Sequence, residues 1–478
     1  MPARLLAALC TLLALAACSR SEPETETQPE RGRAAPGAPN IVVVMTDDQA
    51  LDTMRAMPRT RRLLGDAGVT FEAAVASFPL CCPSRATFLS GRYAHNHGVL
   101  DNSAPKGGIG RLDQQETLPV WLRRAGYRTG FVGKYLNGYG KEEHGGSEYV
   151  PPGWDEWYGL PSRTKTRPFD YDVNVNGKLQ HFGDAEEDYK TDVLARFGRD
   201  FVRRAARQEE PFFLWVATPA PHHGKVPPGS DRNPLPAARH HGAFEGVRAP
   251  RGPAFDEADV SDKPANVRSE KRLRGERLRK IDATYVSQLE SLLAVDELVA
   301  GLVRELRRAG ELENTIVVFT SDNGYLRGQH RIDSGKSRPY DESILVPLLV
   351  RGPGFPEGVK TKNPVVNTDF AATFLAAAKA RPNEPVDGVP LTRALRPAGA
   401  DRAVLIEVFE RKADQFQGLR TARYTYVERD GDRDELYDLR RDPAQLRNVI
   451  DDPRYARVRA ELAKRLARMR DCSGRSCR

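Results

Sequence analysis

Residues 41–49 read Ile-Val-Val-Val-Met-Thr-Asp-Asp-Gln, a short apolar run that ends in two carboxylates. A β-branched run without polar positions is typical of a parallel strand that is buried on both faces of a sheet. Similar runs recur at Phe212–Ala217, Ile316–Thr320 and Leu345–Val350. Between the second and the third of these four apolar runs, the segment Tyr285–Ala309 carries leucine and valine at helical spacing. This alternation predicts an α/β fold with a large, mostly parallel sheet flanked by helices.

The pattern changes near residue 401, where short alternating segments replace the long buried runs. Three segments are predicted to be antiparallel strands, namely Val404–Phe409, Tyr424–Arg429 and Glu435–Asp438. A closing amphipathic helix is predicted over Pro453–Met469. We therefore expect a large catalytic domain over residues 40–400 and a small α+β domain with an antiparallel sheet over residues 401–478.

The N-terminus has the features of an export signal. Arg4 precedes an apolar run over residues 5–17, which is too short to span a bilayer. Leu-Ala-Ala before Cys18 resembles a bacterial lipoprotein cleavage box, although ordinary signal cleavage is an alternative. Residues 1–18 are thus predicted to be a lipoprotein-type signal, and the polar, Pro-rich residues 19–39 a flexible linker. We expect an exported protein, anchored to the membrane through lipidated Cys18 and facing the cell exterior or the periplasm.

Composition favours a soluble globular protein, with 40% hydrophobic and 29% charged residues in a chain of 478. The net charge of +8 suits an anionic substrate but is equally typical of a solvated surface, and we expect no nucleic-acid partner. Cys472 and Cys477 are expected to form a small disulfide loop outside the cytoplasm. Their spacing also occurs in zinc sites, but no second ligand pair accompanies it.

Polar clusters follow two of the predicted strands, as Thr46-Asp47-Asp48-Gln49 and Ser321-Asp322-Asn323-Gly324. In open α/β sheets, ligands bind beyond the carboxyl ends of the strands. If the two strands are neighbours, three carboxylates converge and need a cation to offset their repulsion. All-oxygen ligands suit Ca²⁺ or Mg²⁺ better than zinc. The alternative is that each cluster is an ordinary turn or helix cap, because Asp, Asn and Gly are common there.

A third segment reads Cys-Cys-Pro-Ser-Arg-Ala-Thr-Phe-Leu-Ser-Gly-Arg over residues 81–92. Pro83 suits a first helical turn and Gly91 suits a helix end. Cys81 is therefore predicted to lie at a helix N-terminus, where the dipole and free N–H groups favour an anion. On physical grounds alone, it could be a cysteine nucleophile with a lowered pKa.

This segment resembles the signature of the sulfatase family, whose fold is alkaline-phosphatase-like. The resemblance implies that a dedicated formylglycine-generating enzyme oxidises Cys81 to formylglycine. It also implies a sulfuric ester hydrolase that uses a bound metal, Ca²⁺ or Mg²⁺. The metal ligands that it implies are Asp47, Asp48, Cys81, Asp322 and Asn323.

The resemblance implies four further catalytic residues. Lys134 lies in a segment similar to the one that supplies a lysine to the aldehyde hydrate and the sulfate oxygens. His222, with His223 as a competitor, and Lys336 match residues that contact sulfate and assist the departing alcohol. Arg85 is expected to orient the modified residue and to offset the local anions.

The local sequence is most similar to the N-acetylglucosamine-6-sulfatase and heparan endosulfatase branch, notably at Tyr93–His97 and Gly133–Asn137. This similarity implies a sulfated sugar, such as 6-sulfated N-acetylglucosamine, as the substrate. Two positions depart from the pattern, since Leu136 and Leu326 stand where histidine is usual. Both departures bear on the leaving-group pocket more than on the sulfate chemistry.

Three alternatives remain open from the sequence. Alkyl or aryl sulfates fit the same chemistry, and a related phosphoesterase or phosphonate hydrolase could use the same scaffold and metal. A non-catalytic surface binder of sulfated glycans is the alternative of another class. A binder has no need for an oxidisable cysteine beside a metal site, which favours an enzyme.

Overall fold

A computed structural model describes residues 28–224, 233–409 and 415–478. The predicted signal, with Cys18, lies outside the described residues. Within them, no helix combines the length and the apolar character needed to cross a membrane. The described end of the expected linker contacts the large unit, because Arg31 pairs with Asp155 at 2.6 Å and Tyr127 donates a hydrogen bond to the Pro39 carbonyl.

The bounds of the secondary structure follow. The strands are β1 (Asn40–Thr46), β2 (Val69–Phe71), β3 (Ala74–Val75), β4 (Arg128–Gly133), β5 (Glu156–Gly159), β6 (Tyr171–Val175), β7 (Lys178–Phe182), β8 (Phe212–Ala217), β9 (Thr315–Ser321), β10 (Leu348–Arg351), β11 (Val359–Thr361), β12 (Val365–Val366), β13 (Ala403–Val408), β14 (Phe416–Thr421), β15 (Tyr424–Glu428) and β16 (Glu435–Asp438). The helices are α1 (Pro58–Thr60), α2 (Cys81–Ser90), α3 (Ala94–His97), α4 (Leu118–Arg124), α5 (Lys190–Ala205), α6 (Ala265–Arg268), α7 (Glu276–Arg308), α8 (Asp341–Ile344), α9 (Asp369–Ala378) and α10 (Ala456–Met469).

The central sheet has the strand order β11-β2-β10-β9-β1-β8-β4-β5-β6-β7. Strands β9, β1, β8, β4 and β5 run parallel. The buried apolar runs predicted β9, β1 and β8, whereas β4 and β5 were not predicted. The run Leu345–Val350 differs from the expectation, because its strand begins at Leu348 and pairs antiparallel with both neighbours. Thr46 pairs with Ser321 at the ends of β1 and β9, so the two polar clusters leave the sheet side by side.

Both faces of the sheet are covered, which explains why β1 has no polar position. Ile41, Val43 and Met45 pack into one apolar cluster together with side chains of α2, α4 and α9. Val42 and Val44 point to the other face, where α5 and α7 cover them. Helix α7 begins at Glu276, nine residues earlier than the apolar spacing predicts. The fold is thus the expected α/β sheet flanked by helices.

A separate antiparallel sheet, β13-β14-β15-β16, lies near the C-terminus and packs against the segment that precedes α2. Phe78 and Leu80 share an apolar cluster with Val404 and Ile406 of β13. Strand β14 was not predicted, because it carries glycine and polar residues in its middle. The expected bond between Cys472 and Cys477 is present in this unit.

Helix α2 begins at Cys81 and ends before Gly91, whose φ of 66° is left-handed and suits glycine. The prediction that Cys81 lies at a helix N-terminus is confirmed. Every residue of the helix is buried. Its charged and polar side chains must therefore find partners inside the protein.

His95 links α3 to the C-terminal unit. Its Nδ1 lies 2.9 Å from Oε2 of Glu407, a fully buried carboxylate on β13, and its Nε2 lies 2.9 Å from the Cys472 carbonyl. Although burial lowers the pKa of His95, the hydrogen bond and charge of Glu407 raise it to about 9. The pair therefore stabilises the folded state most when the imidazole is protonated.

We expect His95→Gln to destabilise the protein by about 2 kcal/mol at pH 6, the scale of a charge-assisted hydrogen bond. The folded pKa exceeds the ordinary value of about 6.5, so this stabilisation is complete below pH ~6.5 and is lost as the pH rises through about 9. Urea unfolding curves at pH 6 and pH 9.5, with tryptophan fluorescence as the signal, measure the change in the free energy of unfolding. His181→Gln, which removes an exposed partner of Asp172, is the control. A His95→Gln effect that is equal at both pH values contradicts the prediction.

Candidate active site

The polar residues after β1 and β9 form one buried cluster. The Asp48 N–H donates to Oδ1 of Asp322 at 3.1 Å, and Nδ2 of Asn323 donates to Oδ1 of Asp48 at 2.7 Å. Asp48 has a φ of 62°, a left-handed conformation that is uncommon for residues other than glycine. These contacts fix the two strand ends to each other. The structure therefore brings together the carboxylates that the sequence predicted to converge.

Cys81 enters this cluster from the N-terminus of α2. Its thiol lies 3.3 Å from Oδ1 of Asp47 and 3.9 Å from Oδ1 of Asp48. The ammonium group of Lys336 donates to Sγ at 2.9 Å and also contacts Asp48. The Cys81 thiol thus contacts both a carboxylate and an ammonium group.

Arg85, one turn further along α2, is fully buried and contacts three strand ends. Its Nε donates to Oδ2 of Asp322 at 2.8 Å, and Nη1 donates to the Lys134 carbonyl at 2.6 Å. Nη2 lies 3.7 Å from Oδ2 of Asp47. The contacts set the Arg85 cation against two carboxylates, and its expected role in orienting a modified Cys81 stays a prediction.

Two further predicted residues, Lys134 and His222, lie at the edge of the cluster. The Lys134 ammonium group, which is buried after β4, contacts Asp47. Nε2 of His222 lies 3.6 Å from Oδ2 of Asp48, and a quarter of its side chain is exposed. His223 points elsewhere, because its Nε2 contacts the hydroxyl group of Tyr325.

Opposite charges balance inside the cluster. Burial raises the pKa of an aspartate, but Lys134 foremost, then His222, Arg85 and Lys336, hold the pKa of Asp47 well below its usual range. Burial likewise lowers the pKa of Lys336, but Asp48 and neighbouring anions raise it well above the usual lysine value. The pKa of Lys134 is raised as well, so Lys134 and Lys336 are cationic and Asp47 is an anion in this environment.

The Cys81 thiol behaves differently from the low-pKa nucleophile that a helix N-terminus would favour. Burial, with the charge of Asp47 adding to it, raises the pKa of Cys81 to about 12. Lys134 and Lys336 oppose this shift without reversing it. Desolvation outweighs the helix dipole because Cys81 is 2% exposed and a carboxylate lies beside it.

A divalent cation fits the donor atoms of the cluster. Ligand-capable atoms of Asp47, Asp48, Cys81 and His222 all lie within 4.8 Å of one another. Oδ1 of Asn323 is buried and has no hydrogen-bond partner within the part of the chain that the structure describes, so it retains an open lone pair. Several carboxylate and amide oxygens at one point are the ligands of a hard cation such as Ca²⁺ or Mg²⁺.

Sequence reasoning missed Lys165 and Asn102, which come from loops. Burial, reinforced by the nearby charge of Lys134, lowers the pKa of Lys165 to about 8. The buried Lys190 holds that loop, because its Nζ donates to the Lys165 carbonyl at 3.0 Å. Asn102 accepts the Cys82 N–H at 2.9 Å near the start of α2. Neither residue has a motif or a spacing that could have identified it.

The two leucines that depart from the family pattern are buried in apolar clusters. Leu136 packs with the aromatic side chains over one face of the sheet. Leu326 packs in a separate cluster that includes Tyr340 and Ile332. Neither position can donate a hydrogen bond to a leaving group, so this function falls to other side chains.

The fold is of the alkaline-phosphatase-like class, and sequence comparison gives the family. The family model described as "Sulfatase" matches residues 39–380, and the model described as "N-sulphoglucosamine sulphohydrolase, C-terminal" matches residues 328–472. The chain belongs to the sulfatase family.

Several relatives are similar over most of this chain. Human N-acetylglucosamine-6-sulfatase is 39% identical over 75% of the chain, but that match spans only 65% of the human protein. The arylsulfatase of Volvox carteri is 32% identical over 99% of this chain and 79% of its own length. A structure solved in complex with its substrate D-glucosamine-2-N,6-O-disulfate has a TM-score of 0.75 and 25% identity, covering 90% of this chain and 97% of that one.

We expect Ca²⁺ to raise the unfolding temperature of protein that has been treated with a chelator. A ligand at 100 times its Kd stabilises the folded state by about 2.7 kcal/mol. Asp47→Asn should abolish most of the Ca²⁺-induced shift, because it removes one ligand charge. Thermal melts with and without Ca²⁺, repeated with Mg²⁺, measure this shift. Asp184→Asn changes an exposed carboxylate outside the cluster and should leave the shift intact. An undiminished shift in Asp47→Asn would be evidence against a metal at this point.

Proposed function

We propose that the protein hydrolyses sulfate esters of a sugar, with 6-sulfated N-acetylglucosamine or a related glycan as the natural substrate. Cys81 is the proposed site of formylglycine, and Ca²⁺ or Mg²⁺ is the proposed metal. The observation that carries the proposal is the environment of Cys81, whose Sγ lies 3.3 Å from Asp47 and 2.9 Å from the ammonium group of Lys336.

Formylglycine would supply a hydrated aldehyde whose hydroxyl group attacks sulfur and which then releases sulfate. In this proposal Asp47, Asp48, Asp322 and Asn323 hold the metal, which offsets the negative charge that develops on the sulfate oxygens. The four oxygen-bearing side chains meet at the ends of β1 and β9. Such strand ends are rigid, which suits the binding of a tetrahedral anion.

The remaining cluster residues divide between the sulfate and the alcohol. Lys134, buried beside Asp47, would bind sulfate oxygens, and Arg85 would position Cys81 through the two carboxylates that it contacts. Lys336 and His222 each contact a carboxylate oxygen of Asp48. We assign to them proton donation to the departing alcohol, because an alkoxide is a poor leaving group without it.

The names of similar proteins support a sugar substrate. One relative is an N-acetylglucosamine-6-sulfatase, and one similar structure holds a sulfated glucosamine. An arylsulfatase is also similar to this chain, so simple aryl sulfates are the second candidate. Comparison of kcat/KM for N-acetylglucosamine 6-sulfate, 4-nitrophenyl sulfate and the phosphonate monoester 4-nitrophenyl phenylphosphonate separates these candidates. A higher kcat/KM for the phosphonate would replace the sulfatase proposal with a phosphonate hydrolase.

We expect a fraction of Cys81 to be an aldehyde in protein purified from its own host. The tryptic peptide of residues 63–85 contains both cysteines, and its fragment masses assign the change to one of them. Cys81→Ala should lower kcat/KM for sulfate esters by about 10³-fold or more, because it removes the proposed nucleophile. Cys82→Ala removes the adjacent buried thiol and is the matched control.

Three outcomes would count against this proposal. An unmodified thiol in an active preparation would exclude formylglycine as the nucleophile. Sulfate release that survives Cys81→Ala would exclude any nucleophile at position 81. Retention of sulfated glycans by Cys81→Ala, with no hydrolysis by the unaltered protein, would favour the non-catalytic binder.

His222→Ala should lower kcat/KM for sulfate esters by about 10²-fold, the usual contribution of a general acid. His223→Ala should have a smaller effect, because His223 contacts Tyr325 instead of the carboxylate cluster. Steady-state kinetics on one sulfate ester compares the two variants. A larger loss in His223→Ala would transfer the proposed role to that histidine.

Export and anchoring belong to the same proposal. Lipidation of Cys18 would hold the enzyme at the membrane and facing the cell exterior or the periplasm, where polymeric sulfate esters are accessible. Maturation would require a formylglycine-generating enzyme that acts on the segment around Cys81.

A further inference from the structure

An arginine-rich groove lies between the C-terminal helix and the segment that joins the two sheets. It encloses about 480 Å³. We call it the arginine groove and define it by the five arginines that line it, which are Arg393, Arg402, Arg465, Arg468 and Arg478. The active-site cluster contributes no residue to it.

Most of the positive charge in the groove is not neutralised. Arg402 is paired with both carboxylate oxygens of Asp369, which offsets its charge. Arg465 and Arg478 donate instead to main-chain carbonyls, at 2.8 Å and 2.6 Å, which orient the guanidinium groups without cancelling their charge. Arg393 and Arg468 are exposed.

The four arginines other than Arg402 form no ion pair with a carboxylate in the described ranges, and Asp401 is the single acidic residue of the lining. The side chains of the groove therefore carry a net charge of about +3. The sequence agrees, because residues 456–478 contain eight Lys and Arg against two acidic residues. This excess of +6 compares with +8 for the whole chain.

The groove lies apart from Cys81. The Val386 carbonyl accepts the bond from Arg478, and the next residue, Asp387, donates its N–H to Gly91 at 2.8 Å. Gly91 marks the end of α2 opposite to Cys81. Ten helical residues rise about 15 Å, so a small ester bound at Cys81 would not reach the groove.

We propose that the arginine groove binds a chain of a sulfated polysaccharide and so holds polymeric substrate on the enzyme at a distance from Cys81. The identity of the polymer rests on the proposed function, whereas the binding of a polyanion rests on the groove alone. Guanidinium groups form paired hydrogen bonds to oxyanions, which suits repeated sulfate groups. An anionic membrane is less well matched, because the large exposed apolar side chains, Leu51, Leu179 and Leu235, lie outside the groove.

The test uses heparin as the probe and fluorescence anisotropy to measure Kd at two salt concentrations. The groove variant combines Arg393→Gln, Arg465→Gln, Arg468→Gln and Arg478→Gln. The charge-matched control changes the four exposed arginines Arg61, Arg304, Arg307 and Arg308 to Gln. We expect Kd to rise at least ~10-fold in the groove variant and less than ~3-fold in the control, with a weaker salt dependence in the groove variant.

A second variant guards against misfolding. Arg393→Gln with Arg468→Gln removes only the two groove arginines whose guanidinium groups make no hydrogen bond within the described residues, and it should raise Kd by about 3-fold or more. Equal weakening in the groove and control variants would overturn the proposal, since it would indicate diffuse attraction. Tighter groove-dependent binding to phosphatidylglycerol vesicles or to single-stranded DNA than to heparin would overturn it as well.

The two proposals fail in distinguishable ways. Sulfate release from a small ester by the unaltered protein tests the active site without the groove. If hydrolysis occurs and heparin binds the groove variant as tightly as the unaltered protein, the groove proposal alone is wrong. If no ester is hydrolysed but the groove variant loses heparin binding, the polyanion site stands and the proposed catalytic function is wrong.

Discussion

The buried guanidinium group of Arg85 is the contact on which the architecture of the site depends. It joins helix α2 to the ends of β1, β4 and β9 through Asp47, the Lys134 carbonyl and Asp322. A buried cation is costly unless it is paired and hydrogen-bonded, and the same holds for the two buried aspartates. Each charge therefore requires the others. Because α2 starts at Cys81, this mutual requirement also sets the position of the thiol relative to the carboxylates.

The sequence predicted the centre of the fold better than its edges. Strands β1, β8 and β9 are buried on both faces, so their apolar runs carry the structural signal directly. The direction of β10 could not be read in the same way, because a buried antiparallel strand has the same composition as a parallel one. Strand β7 was missed for the opposite reason, since four of its five residues are exposed. Edge strands are specified by their partners more than by their own residues.

The residues of the candidate site also fall into a predicted group and a group that the sequence did not reveal. The carboxylates and the amide that follow β1 and β9 were predicted from the strands, because the sheet brings strand ends together wherever strands are neighbours. The catalytic lysines, the histidine and the roles of Cys81 and Arg85 were predicted from the resemblance to the sulfatase signature. Lys165 and Asn102 reach the cluster through loops whose paths depend on tertiary contacts, such as that of Lys190 with the Lys165 carbonyl. The lowered pKa that the helix N-terminus suggested for Cys81 was wrong. A helix N-terminus favours a thiolate by a modest amount, whereas complete burial beside Asp47 outweighs it.

This division has a consequence for specificity. The groups assigned to the sulfate lie on strand ends and on α2, where the ion pairs allow little movement. The groups that the proposed function assigns to the leaving alcohol, His222 and Lys336, come from loops, and the two leucines that replace the usual histidines are enclosed in apolar clusters. A loop can change its side chains without disturbing the charge balance around Arg85. Under the proposed function, the chemistry of sulfate release can therefore stay constant while the alcohol changes, so the 219–224 segment is a position where substrate preference would be encoded.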